Sequence, residues 1–91
     1  MATVHIYLNN VFQKEVPLFA GDTTIGRTDK NDIVLDNIGV SSRHAKIINQ
    51  DDRYYITDVG STNGTIVNGE KITRQQSLEH EDDIMIGNKH H

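Results

Sequence analysis

The 91-residue sequence predicts an all-β sandwich of two mostly antiparallel sheets built from about ten short strands. Short apolar segments rich in β-branched residues recur about every eight to twelve residues, and turn-forming residues separate them. No window carries the i, i+3, i+4, i+7 apolar pattern of an amphipathic helix. The chain has no cysteine, so neither disulfides nor a thiolate-based zinc site contribute to it.

The first two strands are expected to form a hairpin. The alternation in "TVHIYL" places Val4, Ile6 and Leu8 on one face of a half-buried strand. Asn9-Asn10 then turns the chain into "VFQKEVPL". Pro17 cannot donate to a strand ladder, so it predicts that the second strand lies at an edge or ends there.

The remaining strands follow in sequence order. "TTIGR" and "DIVL" read as brief strands separated by the loop "TDKN", and "HAKIINQ" and "RYYITDV" form a hairpin about Asp51-Asp52. Asn68-Gly69 predicts a type I′ hairpin between "TIV" and "EKI", and "DIMIG" is the last strand. Because loops at the ends of a sandwich carry function, the loops to inspect are 26–32, 36–43 and 59–65.

Composition excludes several classes of function. The net charge is −4, and the nine Lys and Arg residues are scattered, which argues against a general nucleic-acid binder but leaves a local basic spot open. The sequence lacks both a run of about 18 apolar residues and a signal peptide, so we expect an intracellular, cytoplasmic protein without a membrane span. The histidines form no ligand-spaced set, and no metal site is predicted.

Two arginines and several hydroxyls could form an anion site if their loops meet. Guanidinium groups bind a phosphate dianion bidentately, and hydroxyl and backbone donors complete such a site. The candidates are Arg27, Ser41, Ser42, Arg43, Ser61 and Thr62. The alternative is that Arg27 forms an ordinary surface ion pair with Asp22, Asp29 or Asp32.

Three other interpretations are weaker. Ser41 and His44 lie three apart in a strand-like segment and so face opposite sides, which disfavours a serine nucleophile; His44 is better explained as a buried histidine that bonds backbone and shapes a loop. Gly60 and Gly64 have the wrong spacing for a nucleotide-binding P-loop. The sequon at Asn63 requires secretion and is judged accidental.

Four segments taken together resemble the forkhead-associated (FHA) domain family: "IGRTDKNDIVL", "VSSRHAKI", "DVGSTNGTIVNGEKI" and "LEHEDDIMIG". The resemblance extends over about residues 23 to 87, and its motifs Gly-Arg, Ser-x-x-His and Asn-Gly occur in order. It implies a β-sandwich of about eleven strands that binds phosphothreonine peptides through loops at one end.

The resemblance also implies a role for each motif residue. Arg27 and Ser41 would bind the phosphate, and Ser42 and Arg43 would add phosphate contacts. Thr62 would line the pocket for the phosphate and the threonine methyl group, and Asn63 would form a hydrogen bond with the peptide backbone. Gly26, His44 and Gly64 would shape the loops without touching the ligand. Residues 37–40 would help to read the peptide three positions after the phosphothreonine.

The sequence departs from the family pattern at its C-terminal end. Glu81 occupies a position where the family often has glycine, and the chain stops after "GNKHH", where the family continues into another strand that pairs near the N-terminus. We therefore expect residues 1–91 to form a single FHA-like domain whose final strand is truncated.

The function implied by the resemblance is a phosphothreonine-dependent protein-interaction module in signalling, not an enzyme and without a cofactor. Its partner would be a protein phosphorylated by a Ser/Thr kinase, and the domain would act as a monomer without binding nucleic acid or membrane. The alternative is a scaffolding or structural sandwich that binds partners independently of phosphate.

Overall fold

The computed structural model of the chain describes residues 2–18 and 21–87. Within these two ranges there are ten strands and no helix. The strands are β1 (Thr3–Leu8), β2 (Val11–Pro17), β3 (Thr23–Gly26), β4 (Ile33–Val34), β5 (Ala45–Gln50), β6 (Arg53–Asp58), β7 (Thr65–Val67), β8 (Glu70–Lys71), β9 (Gln76–Leu78) and β10 (Asp82–Ile86).

The strands form two five-stranded sheets, which confirms the predicted all-β sandwich. One sheet has the order β2-β1-β10-β7-β8 and the other has the order β4-β3-β5-β6-β9. Neighbouring strands are antiparallel except for the pairs β1–β10 and β3–β4, which are parallel. Pro17 ends β2 at the edge of its sheet, as its missing N–H donor predicts.

The core lies between the inner faces of the two sheets. Alternation along β1 is as predicted: Val4 and Ile6 are fully buried, and Leu8 packs partly buried against them. The buried cluster consists of Val4, Ile6, Val16, Leu18, Ile25, Ile33, Leu35, Val40, Ala45, Ile47, Ile56, Val67, Leu78, Ile84 and Ile86. Isoleucine and valine dominate this cluster because their branched side chains pack well on a pleated surface.

All three predicted two-residue turns are present. Asn9-Asn10 and Asp51-Asp52 have positive φ at both residues, and Asn68-Gly69 has φ values of 50° and 88°. Asn, Asp and Gly tolerate this left-handed backbone, which matches the twist of the flanking strands. The turn at 68–69 is therefore a simple hairpin tip between β7 and β8.

The end of the described chain joins the N-terminal strand directly. Residues Val4–Leu8 of β1 pair in parallel with Asp82–Ile86 of β10. Glu81, at the position where the family often has glycine, keeps a positive φ of 71° and donates its N–H to the Thr3 carbonyl at 2.7 Å. A non-glycine residue in this conformation costs about 1–2 kcal/mol. Residues 88–91, where a further strand would begin, lie outside the described ranges, as do residues 1, 19 and 20.

Candidate functional site

The loops 26–32, 36–43 and 59–65 meet, because hydrogen bonds join each of them to its neighbour. The Arg27 N–H donates to the Ser41 carbonyl at 3.0 Å. The Thr62 N–H donates to Ser41 Oγ at 3.0 Å, and Asn63 Nδ2 donates to the Gly39 carbonyl at 2.9 Å. Ser41 therefore lies at the junction of all three loops.

Glycine is required at position 26 by the close approach of two loops. A Cβ atom on Gly26 would lie 2.3 Å from the Ser42 carbonyl oxygen and 2.6 Å from Asn31 Nδ2. Asn31 Nδ2 itself donates to the Ser42 carbonyl at 2.8 Å and to the Thr28 carbonyl at 3.0 Å. Gly26 thus lets Asn31 hold the 41–43 segment against the strand end that carries Arg27.

His44 is fully buried and supports the loops from beneath. Its Nδ1 accepts the Ser41 N–H at 3.1 Å, so the ring proton is on Nε2, which donates to the Gly64 carbonyl at 2.8 Å. Its backbone N–H donates to the Ile25 carbonyl at 2.9 Å. Both ring nitrogens therefore bond backbone groups of two different loops, and no nitrogen is left to activate Ser41.

Asp58 organises the third loop. One carboxylate oxygen accepts the N–H groups of Gly60 and Ser61 at 2.9 and 2.7 Å, and the other accepts the hydroxyls of Ser61 and of the fully buried Thr65. Burial raises the pKa of the Asp58 carboxyl, but the hydrogen bonds from Ser61, Thr65 and Gly60 outweigh burial, and the pKa lies below the ordinary value of 3.8. The ionised carboxylate therefore holds the loop in shape.

Glycine is favoured at position 64 by the backbone, whose φ is +90°. A Cβ atom there would also lie 2.5 Å from Lys71 Cε, near the end of a flexible side chain that can move aside. The Gly64 N–H donates to Ser61 Oγ at 2.9 Å. The Ser61 hydroxyl thus accepts from Gly64 and donates to Asp58, and both bonds lie within the loop. Ser61, which the sequence groups with the possible phosphate contacts, instead serves loop structure.

The two arginines of the site are exposed and unpaired. Across residues 2–18 and 21–87, neither the Arg27 nor the Arg43 guanidinium forms a hydrogen bond or an ion pair. Asp22 lies 3.9 Å from Lys46, and the Asp32 carboxylate accepts the Thr24 N–H at 2.9 Å. The interpretation of Arg27 as a partner in a surface ion pair is therefore wrong for this structure.

The remaining candidate side chains have polar capacity to spare. Ser41 Oγ accepts one hydrogen bond, so its own hydroxyl hydrogen is left to donate. The Ser42 and Thr62 side chains are exposed, and the half-buried Asn63 uses one amide hydrogen while its side-chain oxygen has no partner among the described residues. The loops that meet at Ser41 thus carry two exposed arginines and several hydroxyl donors, which are the kinds of group that bind a tetrahedral dianion.

Sequence reasoning missed several residues that build the site. Asn31 and Asp58 link or shape the loops, and Asn37 Oδ1 accepts the Gly39 N–H at 2.8 Å in a local turn. Ile38, next to this turn, is 86% exposed, which leaves a large apolar side chain at the loop tip. The only sign of these residues in the sequence was the clustering of Asn and Asp between short strands. Such clustering predicts turns, but it does not show which groups the Asn and Asp side chains will bind.

Other kinds of site find no support in the described part of the chain. Within it, no cluster of three or more His, Asp or Glu side chains is arranged to bind a metal ion. The same part contains no helix of the length and apolarity that a membrane crossing requires.

Comparison with known proteins gives a consistent result. A family model described as "FHA domain" matches residues 23–87. The chain is 45% identical over 65 residues to an oxoglutarate dehydrogenase inhibitor from Corynebacterium diphtheriae, a match that covers 71% of this chain and 45% of that protein.

Two solved structures have the same fold. The structure of Mycobacterium tuberculosis EmbR in complex with a low-affinity phosphopeptide is 37% identical, with a TM-score of 0.69 over 86% of this chain and 23% of that one. The N-terminal FHA domain of Saccharomyces cerevisiae Rad53p, in complex with a phosphothreonine peptide, is 33% identical with a TM-score of 0.65 over 69% of this chain and 53% of that one. The chain spans less than half the length of the curated relatives it matches, 45% for the inhibitor and 21% for EmbR.

Proposed function

This chain belongs to the FHA domain family, and on that premise we propose that it binds phosphothreonine-containing partner proteins in signalling. The observation that carries the proposal is that the Arg27 guanidinium has no partner among the described residues. The backbone N–H of the same residue is bonded to the Ser41 carbonyl. An exposed guanidinium with no ion-pair partner among the described residues is free to bind a phosphate dianion without first breaking another contact.

Arg27 and Ser41 would provide the main phosphate contacts. Arg27 would bind two phosphate oxygens side by side. Ser41 Oγ already accepts a hydrogen bond from the Thr62 N–H, so Ser41 would donate its hydroxyl hydrogen to the phosphate. Arg43 and the exposed hydroxyls of Ser42 and Thr62 are close in sequence to these groups and would add contacts. Each charge-assisted bond is worth about 1.5–3 kcal/mol.

Peptide-backbone recognition is assigned to Asn63. Its side-chain oxygen and second amide hydrogen are available, while the hydrogen bond to the Gly39 carbonyl holds the amide in place. Exposed Ile38, within the 37–40 segment, would contact a side chain downstream of the phosphothreonine. Gly26, His44 and Gly64 act through loop shape alone.

Selectivity for threonine over serine requires more than the phosphate contacts. Burial of the extra methyl group contributes about 0.8 kcal/mol, which is only a few-fold in affinity. The branched β-carbon also restricts χ1, so a pocket that fits one rotamer widens the difference. Thr62 and Asn63 are the expected walls of that pocket.

The first test is Arg27→Ala, measured by calorimetry with a phosphothreonine peptide and its unphosphorylated form. We expect the variant to lose at least about 100-fold in affinity for the phosphopeptide, because two charge-assisted bonds are removed. Its melting temperature should stay near that of the parent, since the guanidinium has no partner to lose. Arg53→Ala, which removes another exposed arginine, is the matched control and should bind normally. Equal affinity of the parent for both peptides would overturn the proposal.

A phosphate-independent scaffolding role is the second candidate, and one surface feature favours it. Phe12 is 52% exposed on β2 and makes edge-on ring contacts with Tyr7 and His5, with ring centroids 5.7 and 6.0 Å away. Such an aromatic cluster can bind a partner without phosphate. Under this alternative, Phe12→Ser would abolish partner binding and Arg27→Ala would not.

The proposal extends to the partner and to the way in which the domain acts. The partner would be a protein phosphorylated by a Ser/Thr kinase, and the domain would act as a monomeric, cytoplasmic binding module spanning residues 1–91. It would carry out no reaction on its ligand, because the proposed ligand-binding groups bind and orient without a nucleophile activated by a base.

A further inference from the structure

A second groove lies beside the candidate phosphate site, on the flank of the 59–65 loop formed with residues 71–74. Its volume is about 330 Å³. Thr62 and Gly64 line one wall, and Lys71 and Arg74 line the other. Thr62 also donates its N–H to Ser41 Oγ, so Thr62 belongs both to the groove wall and to the loop junction at Ser41.

Lys71 crosses directly over the loop that forms the first wall. The position of a Cβ on Gly64 is 2.5 Å from Lys71 Cε and 3.2 Å from its Nζ. The lysine stem therefore packs on Gly64, the residue after Asn63, and the side chain lines the groove. A side chain at position 64 would displace it.

The two cations of the groove have no partners in residues 2–18 and 21–87. Neither Lys71 nor Arg74 forms an ion pair or a side-chain hydrogen bond there. Asp58 also lines the groove, but four donors already occupy its carboxylate. The groove therefore presents positive charge on a protein whose net charge is −4.

Three acidic residues lie near Lys71 and Arg74 without forming an ion pair with either of them in the described part of the chain. Glu70, Glu79 and Asp82 line the adjoining cleft together with these cations, yet none of them lies within 4.0 Å of either one as an ion pair. Asp82 is engaged by the Asn68 side chain at 3.0 Å and by the Glu79 N–H at 2.8 Å. These carboxylates instead disfavour an anion in that cleft, which leaves the groove beside Thr62 as the place for one.

We propose that this groove binds an acidic side chain of the partner, close in sequence to the phosphothreonine. The inference rests on the proposed function, because it assigns a second contact to the same bound peptide. An anionic side chain matches two unpaired cations, and the continuity with Thr62 limits it to a residue near the phosphate. Either a carboxylate or a second phosphate supplies this charge.

The test compares phosphothreonine peptides in which each position from four before to four after the phosphothreonine is alanine or aspartate. We expect aspartate at one or two adjacent positions to raise the affinity of the parent by about 1.5- to 5-fold, the range of exposed ion pairs. The double variant Lys71→Met with Arg74→Gln should lose this preference and keep its affinity for the all-alanine phosphopeptide. Methionine retains the apolar stem over Gly64, and melting curves check that the loop is intact.

A charge-matched control separates the groove from the overall field of the protein. Lys14→Met with Arg53→Gln removes the same net charge at exposed positions of β2 and β6 and should retain the aspartate preference.

Retention of the preference in the groove variant, or its absence in the parent, would overturn the inference while leaving the proposed function standing. A parent that binds none of the phosphopeptides would overturn both. A further peptide with phosphoserine at the favoured position distinguishes a carboxylate from a second phosphate as the ligand of the groove. If phosphoserine raises the affinity more than aspartate does, the groove is assigned to a second phosphate.

Discussion

Asp58 is the residue whose ionisation state matters most for the shape of the site. Its carboxylate accepts four hydrogen bonds from Gly60, Ser61 and Thr65, and protonation would remove an acceptor from at least one of them. Because its folded-state pKa lies below 3.8, the ionised form stabilises the fold. That stabilisation is fully present above the unfolded-state pKa and is lost as the pH falls through the lower folded-state pKa.

Asp58→Asn should therefore be destabilising at neutral pH, and between about pH 7 and about pH 2 the difference from the parent should stay constant until the pH nears 3.8 and then shrink. Asparagine cannot accept at both side-chain positions, so the N–H groups or hydroxyls of the loop lose a partner. Thermal unfolding followed by circular dichroism across this pH range measures the effect. Asp29→Asn is the matched control, an exposed aspartate in another loop of the site, and it should leave the curve unchanged. A pH-independent difference for Asp58→Asn would contradict the explanation.

At the scale of single elements, the β7–β8 hairpin supports one wall of the groove and is tied to β10. Asn68 takes a left-handed φ of 50°, its Nδ2 donates to Asp82 at 3.0 Å, and its Oδ1 accepts the Asp83 N–H at 2.9 Å. One side chain thus fixes both the turn and its contact with the neighbouring strand. The hairpin places Lys71 across Gly64 as a result.

Two substitutions separate these contributions. Asn68→Gly keeps the turn conformation but removes the bridge, and we expect a loss of about 1 kcal/mol in the free energy of unfolding. Asn68→Ala removes the bridge and also disfavours the left-handed turn, so the loss should rise to about 2–3 kcal/mol. Urea denaturation of both variants measures the difference. Equal losses would show that the backbone conformation contributes nothing.

Strands with an apolar face and two-residue turns could be predicted from the sequence, because both signals are local. The strand β9 could not: Gln76 and Ser77 are exposed and polar, and Leu78 alone is buried, so its place beside β6 depends on a partner that is distant in sequence. Arg27 and Ser41 could be chosen as anion-site candidates from their residue types and loops, and the family resemblance then gave each of them a role. The network of Asn31 and Asp58 could not be predicted, because a polar loop residue gives no sign of which backbone group it will bind until the loops meet.

At the scale of the whole molecule, folding gathers charges that are scattered in the sequence. Five of the nine Lys and Arg residues lie in the loops of the candidate site or in the wall of the groove, although the chain has a net charge of −4. These are Arg27, Lys30, Arg43, Lys71 and Arg74. The same loops also carry Asp29, Asp32 and Asp36, so these cations would act through individual contacts with a bound phosphate and not through a net positive patch.

Phosphopeptide affinity should consequently fall several-fold when sodium chloride is raised from about 0.1 to about 1 M, since the Debye length shortens from about 10 Å to about 3 Å. Titration by fluorescence anisotropy at each salt concentration measures the dependence. The melting temperature should change little, because the core is apolar and the described ion pairs are exposed. Affinity that is insensitive to salt would argue against a charged binding surface.

The hydrogen bonds within the loops divide the side chains of this region into two groups. Asn31, His44, Asp58 and Ser61 hold the loops together, whereas the Arg27, Arg43, Lys71 and Arg74 side chains have no hydrogen bond or ion pair to lose among the described residues. Substitutions in the second group therefore cost little stability. Partner choice can change through these positions over evolutionary time, or by engineering, while the scaffold that presents them stays the same.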